Sequence, residues 1–138
     1  MHEHDDRTAA HPVHAIALAG TLPLFLGAWM SDQAYASSEQ IQWANFAQWL
    51  LAGGLVFAAV ALLCALVALL RGNRTGRGLA YLLVLVAMWG LGFIDSLVHA
   101  RDAWAMMPTG PVLSAIVLLL CIAALWLGFG RSRTGAAP

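Results

Sequence analysis

One apolar segment ends in ionisable residues whose spacing could support chemistry. The run GFIDSLVHARDAWAM places four residues at intervals of four, three and four: Asp95, His99, Asp102 and Met106. On an α-helix this spacing puts them on one face. An aspartate beside a histidine can orient the imidazole, leaving the other ring nitrogen for a metal, a haem iron or a proton. The same groups could instead only hydrogen-bond helices together, and the spacing leaves both interpretations open.

Two other segments bring polar side chains to the same level. One apolar stretch ends at Asp32, and the next begins with three amides spaced by three residues: Gln42, Asn45 and Gln48. We therefore expect Asp32, Asp95 and His99 to form a candidate cofactor-binding cluster. Asp95, His99 and Asp102 are also candidate metal ligands, because ionisable residues inside a membrane are costly and often functional.

A second candidate site lies near the N-terminus. His11 and His14 flank Pro12 and are three residues apart, so they can share a helical face. Neutral imidazole binds divalent metals and haem iron, which makes both histidines candidate cofactor or metal ligands. Alternatively, this amphipathic pair marks the boundary between water and lipid.

The composition requires a lipid environment for most of the chain. Of 138 residues, 61% are hydrophobic and 10% are charged, and there is no lysine. Soluble domains are typically about 25% charged, so these few charges cannot cover a water-facing exterior. The net charge is zero, which excludes a nucleic-acid partner held by phosphate contacts.

Four apolar stretches are long enough to cross a bilayer as helices, and we place the spans at about residues 13–31, 45–70, 79–99 and 111–130. Lipid offers the backbone no hydrogen-bond partner, so each stretch must be helical. Short connections favour antiparallel neighbours. The prediction is an all-α, up-down, four-helix transmembrane bundle over residues 13–130. Residues 1–12 and 131–138 form tails, residues 31–42 form a polar loop, and the third helix continues to about Met106.

The arginines orient this bundle. Six of the seven belong to the side that carries both termini: Arg7, Arg71, Arg74, Arg77, Arg131 and Arg133. The positive-inside rule therefore places both termini in the cytoplasm, in a bacterial inner membrane. It also separates His14 from His99 by about 27–30 Å, the rise of 18–20 helical residues. These two histidines cannot ligate one haem iron.

The segment HPVHAIALAGTLPLFLGAWMSDQAY resembles the DUF2231 family of small bacterial membrane proteins. Family members open with an HPxHP-like motif, followed by a proline-containing helix with an aspartate at its far end. His11, Pro12, His14, Pro23 and Asp32 match these features, whereas Ala15 stands where the family often has a second proline. The run from Asp95 to Trp104 and the following PTG are similar to one branch. The resemblance implies a four-helix inner-membrane protein, and relatives fused to c-type cytochrome domains imply membrane redox chemistry.

Three functional hypotheses remain. The first is a small membrane module with a haem or metal site that acts as a redox or assembly subunit. Haem b is the leading candidate cofactor, and the absence of any cofactor is nearly as well supported. The second is a purely structural anchor or partner subunit, and the third is a transporter component. Motifs such as CxxCH, HExxH and GxGxxG are absent, which favours a protein that is not an enzyme. Expected partners are the lipid bilayer, another membrane or redox protein, and a second copy of the chain.

Overall fold

The computed structural model describes residues 11–72, 74–101 and 103–130. Four α-helices follow one another: α1 (Pro12–Ser38), α2 (Ile41–Leu70), α3 (Gly76–His99) and α4 (Thr109–Phe129). Each is long and apolar enough to cross a membrane, and the described residues contain no strand. The prediction of an all-α four-helix membrane bundle is confirmed.

Helix α1 is longer than its apolar span. A loop was expected from Ser31, but the helix continues to Ser38, and only Glu39 and Gln40 separate it from α2. The expectation of a loop is wrong because Asp32 and Tyr35 are buried and hold the last two turns against the bundle. The helix ends where Glu39 adopts a left-handed conformation, with φ of 56°, and its N–H donates to the Tyr35 carbonyl.

Helix α3 is shorter than expected. It ends at His99, and Ala103–Met106 form a separate 3-10 turn, so the prediction of one helix continuing to Met106 is wrong. The turn folds Met106 over the end of the bundle, where this side chain is buried with Tyr35 and Val98. Asp102, a candidate metal ligand, lies outside the described residues.

The helices pack as a closed four-membered ring. Helices α1 and α3 each pack against both α2 and α4, so α1 and α3 face each other across the bundle axis. Glycine permits a close approach between α1 and α2: a Cβ atom on Gly54 would lie 2.5 Å from Cε1 of the buried Phe25 ring. The outer surface is apolar, with Trp49 and Trp126 78% and 79% exposed, as a lipid-facing surface requires.

Candidate functional site

A polar layer crosses the bundle near the α1 C-terminus. It consists of Asp32 on α1, Asp95 and His99 on α3, and Ser114 on α4. Asp32 and Asp95 are 0% exposed, Ser114 1% and His99 5%. Four polar side chains this deeply buried must satisfy one another, because neither lipid nor apolar side chains can hydrogen-bond to them.

His99 occupies the centre of the polar layer. Its Nε2 lies 2.7 Å from Asp32 Oδ1, which joins α3 to the diagonally opposite α1. Its Nδ1 donates to the main-chain carbonyl of Asp95 at 2.9 Å, one helical turn earlier. The same nitrogen is 3.1 Å from Asp95 Oδ1, but this oxygen accepts no hydrogen bond from the described residues. Both ring nitrogens are therefore engaged inside the protein.

Ser114 closes the polar layer from the α4 side. Its Oγ lies 2.6 Å from Asp32 Oδ2 and 2.8 Å from Asp95 Oδ2, so one hydroxyl bridges two carboxyl groups. Ser114 was not among the residues predicted from the sequence to form the cluster. The available signal was that Ser114 is the only hydroxyl-bearing residue between residues 111 and 130.

Apolar side chains seal the polar layer on both sides. Along α1, Asp32 lies between the buried Ala28 and Tyr35. Ala28 belongs to the main apolar core, whereas Tyr35 packs with Ala44, Val98 and Met106 at the bundle end. This second cluster covers the polar layer at this end of the bundle.

The amides of α2 do not join the polar layer. Gln42 and Asn45 are exposed and Gln48 is partly exposed, and no hydrogen bond links any of them to Asp32 or Asp95 among the described residues. The sequence predicted only that these amides lie at the level of the aspartates. Helix α2 is rotated so that Gln42 and Asn45 face outward.

The N-terminal histidines lie at the opposite end of the bundle. The Tyr81 hydroxyl is 2.9 Å from His14 Nε2, and the two rings meet edge to face at 5.7 Å. His11 is exposed at the start of α1. His14 is 18 residues before Asp32, which corresponds to about 27 Å along a helix. The structure thus brings Asp32, Asp95 and His99 together and keeps His11 and His14 apart from them.

One family model covers both the polar layer and the His14–Tyr81 pair at the other end of the bundle. The family model described as a predicted membrane protein, DUF2231, matches residues 10–132. The chain belongs to the DUF2231 family. The match spans every described residue, and the four apolar helices agree with the description of a membrane protein. No curated protein and no solved structure matches the chain.

The polar layer of this DUF2231 protein does not fit a haem group. An axial ligand needs one imidazole nitrogen facing the iron, but both nitrogens of His99 are engaged. The ring is also tightly enclosed: a Cβ atom added to Gly110 would lie 3.0 Å from His99 Cε1 and 3.5 Å from Met106 Cε. A porphyrin plane could not enter without separating α3 from α4.

A resident metal ion fits no better. Within residues 11–72, 74–101 and 103–130, no group of three or more His, Cys, Asp or Glu side chains is arranged to hold one. In the polar layer, the point between the two carboxyl groups is occupied by the Ser114 hydroxyl, which lies 2.6 Å from Asp32 Oδ2 and 2.8 Å from Asp95 Oδ2. The chemistry that this geometry supports is hydrogen bonding and proton sharing between helices.

Proposed function

We propose that this DUF2231 protein is a small non-catalytic membrane module that serves as an anchor or assembly subunit. The observation that carries the proposal is the polar layer, which joins three of the four helices and whose side chains bond almost entirely to one another. Asp32 connects α1 to both α3 and α4, and Ser114 connects α4 to α3. A network directed inward in this way fixes helix positions and presents no reactive group to a substrate.

The polar layer sets the register of the helices more than it adds stability. An interhelical hydrogen bond in a membrane protein is worth about 0.6 kcal/mol on average. Shifting α4 by one residue would move Ser114 away from Asp32 and Asp95, leaving carboxyl oxygens unpaired in an apolar interior. That penalty is about 1–3 kcal/mol for each group, so alternative registers are strongly disfavoured.

The test is His99→Ala measured by two readouts. Thermal unfolding of the purified protein in detergent should shift to lower temperature, and the visible absorbance should equal that of the wild type. The matched control is His11→Ala, because His11 is exposed at the bundle end. An unchanged unfolding temperature for His99→Ala would refute the structural role.

The redox alternative gives the opposite result in the same preparation. A subunit holding haem b would show a Soret band after expression with added haem, and His99→Ala or His14→Ala would abolish it. A metal site would give a stoichiometric metal content by elemental analysis. If the wild type shows the Soret band or the metal content and these variants lose it, a redox function would replace the assembly proposal.

The transport alternative has little support from the interior. Between the polar layer and the His14–Tyr81 pair, the buried side chains are almost all apolar, including Phe25, Leu51 and Met88. The described exception is Thr21, which donates to the Leu18 carbonyl at 2.6 Å and lies 3.2 Å from Cys121 Sγ. An ion would have to cross this region without ligands, which is costly in an apolar medium.

We also propose an inner-membrane location with both termini in the cytoplasm. Arg71, Arg74 and Arg77 are exposed around the α2–α3 turn, whereas Arg101 is the single arginine that the described residues place at the opposite end. The other three arginines in the bias, Arg7, Arg131 and Arg133, lie outside the described residues. The distribution follows the positive-inside rule.

Cysteine labelling tests this orientation. An impermeant maleimide applied to spheroplasts should label Ser37→Cys, and should label Arg74→Cys only after lysis. Both positions are exposed and lie at opposite ends of the bundle. The background is a variant in which the two native cysteines, Cys64 and Cys121, are replaced by alanine. The reverse labelling pattern would place the termini outside.

A further inference from the structure

We propose that the polar layer is a proton-binding site in which Asp95 carries the bound proton. Asp95 is then a neutral carboxylic acid whose Oδ2–H donates to Ser114 Oγ, and Asp32 is the single carboxylate. The proposal rests on the same network as the structural function proposed above, but it concerns the protons inside that network.

The contacts of the Ser114 hydroxyl fix the number of hydrogens that the two aspartates must share with it. Ser114 Oγ lies within hydrogen-bond distance of one oxygen on each aspartate, at 2.6 Å and 2.8 Å. A hydroxyl carries one hydrogen and can donate to only one of them. The other close contact therefore requires a proton on the carboxyl group itself, which donates to the serine oxygen. One of the two aspartates must be protonated.

The histidine contacts need one more proton. The Asp95 main-chain oxygen can only accept, so His99 Nδ1 carries a hydrogen. The 2.7 Å contact between His99 Nε2 and Asp32 Oδ1 also requires one hydrogen between its atoms. Two carboxylates and a neutral imidazole together carry two negative charges. The proton in the Ser114 contact and the proton between His99 and Asp32 cancel both charges, so the polar layer has no net charge. Neutrality is what a low-dielectric membrane interior favours.

The surroundings of the two aspartates differ, and the difference assigns the proton. Asp32 accepts at both oxygens, at 2.7 Å from His99 and 2.6 Å from Ser114, as an ionised carboxylate should. Asp95 has one oxygen, Oδ1, that accepts no hydrogen bond from the described residues: His99 Nδ1 lies 3.1 Å away, but it donates to the Asp95 main-chain oxygen. A buried unbonded oxygen is far less costly as the carbonyl of a neutral acid than as half of a carboxylate. Asp95 is therefore the acid.

Loss of this proton would change the contact between α3 and α4. Without the Asp95 hydrogen, the Ser114 hydroxyl can satisfy only one carboxylate, and the polar layer gains a net negative charge. The titratable groups facing Asp95 are His99 from α3 and Asp32 from α1, while α4 contributes Ser114 and α2 contributes none among the described residues. Proton binding and the α3–α4 contact are thus coupled.

Asparagine substitutions separate the roles of the two aspartates. In Asp95→Asn the amide can donate to Ser114 Oγ as the acid does, and the polar layer stays neutral, so the unfolding temperature in detergent should remain within a few degrees of wild type. Asp32→Asn removes the single carboxylate opposite His99 and should lower the unfolding temperature much further. Equal destabilisation by both substitutions, or a larger loss for Asp95→Asn, would overturn the assignment.

Infrared spectroscopy at neutral pH detects the proton directly. The wild type should show the C=O stretching band of a protonated carboxylic acid, and Asp95→Asn should lack it. The matched control is Glu39→Gln, which replaces an exposed carboxylate and should keep the band. Absence of the band in the wild type, or its persistence in Asp95→Asn, overturns the proposal, even where Asp32→Asn fails to fold. If the infrared result overturns the proton assignment but His99→Ala still destabilises the protein, the structural function stands.

Discussion

Replacing Ser114 by alanine tests the central feature of the bundle with the smallest change in shape. The substitution removes one oxygen atom and two contacts, those to Asp32 Oδ2 and Asp95 Oδ2. Each interhelical hydrogen bond in a membrane protein is worth about 0.6 kcal/mol on average, with a maximum of about 1.7. A group left buried without a partner costs about 1–3 kcal/mol. We therefore expect the free energy of unfolding to fall by about 2–4 kcal/mol.

Reversible unfolding in mixed micelles, followed by circular dichroism as the denaturing detergent is increased, measures this change. The matched control is Ser31→Ala, because the Ser31 hydroxyl is also buried but donates at 2.8 Å to the Gly27 carbonyl of its own helix. This control should change the free energy of unfolding by less than about 0.5 kcal/mol. If Ser114→Ala is no less stable than Ser31→Ala, the bridge does not hold the helices together and the reasoning fails.

Three further substitutions test the packing in the same assay. Gly54→Ala should lower the free energy of unfolding by about 1–3 kcal/mol, because its Cβ would lie 2.5 Å from a Phe25 ring that is 1% exposed and cannot move aside. Gly90→Ala is its control: nothing lies within 4 Å of that Cβ, so stability should be unchanged or raised by up to about 1 kcal/mol, and a loss would contradict the packing. Tyr81→Phe should cost about 0.6–1.7 kcal/mol by removing the hydroxyl 2.9 Å from His14, and no loss would show that this contact contributes nothing.

The axial position of polar residues could be predicted from the sequence, because a helix rises by a fixed distance per residue. Asp32 and His99 end the apolar parts of their helices, and the structure places Asp32 Oδ1 2.7 Å from His99 Nε2. His14 lies 18 residues before Asp32 on α1, and Tyr81 lies 18 residues before His99 on α3. These two side chains also contact each other. Counting residues from the membrane boundary predicted the shared level of Asp32 and His99, whereas the contact between His14 and Tyr81 was not predicted.

The rotation of each helix about its axis could not be predicted in the same way. A soluble helix shows its buried face by its apolar residues, but in a membrane both the core and the lipid are apolar. Helix α2 is apolar all around after Gln48, so nothing indicated that Gln42 and Asn45 face outward. Ser114 was missed for the same reason: its inward direction depends on how α4 packs against α1 and α3.

An aspartate one helical turn before a histidine cannot by itself distinguish a cofactor site from a helix contact. In both cases the aspartate segment engages one imidazole nitrogen, and the partner of the second nitrogen decides the outcome. Here that partner is Asp32 Oδ1, 67 residues away and on the opposite helix, and the same aspartate also contacts Ser114. The nitrogen that a metal or haem iron would need is used to connect helices. The polar layer therefore connects helices α1, α3 and α4.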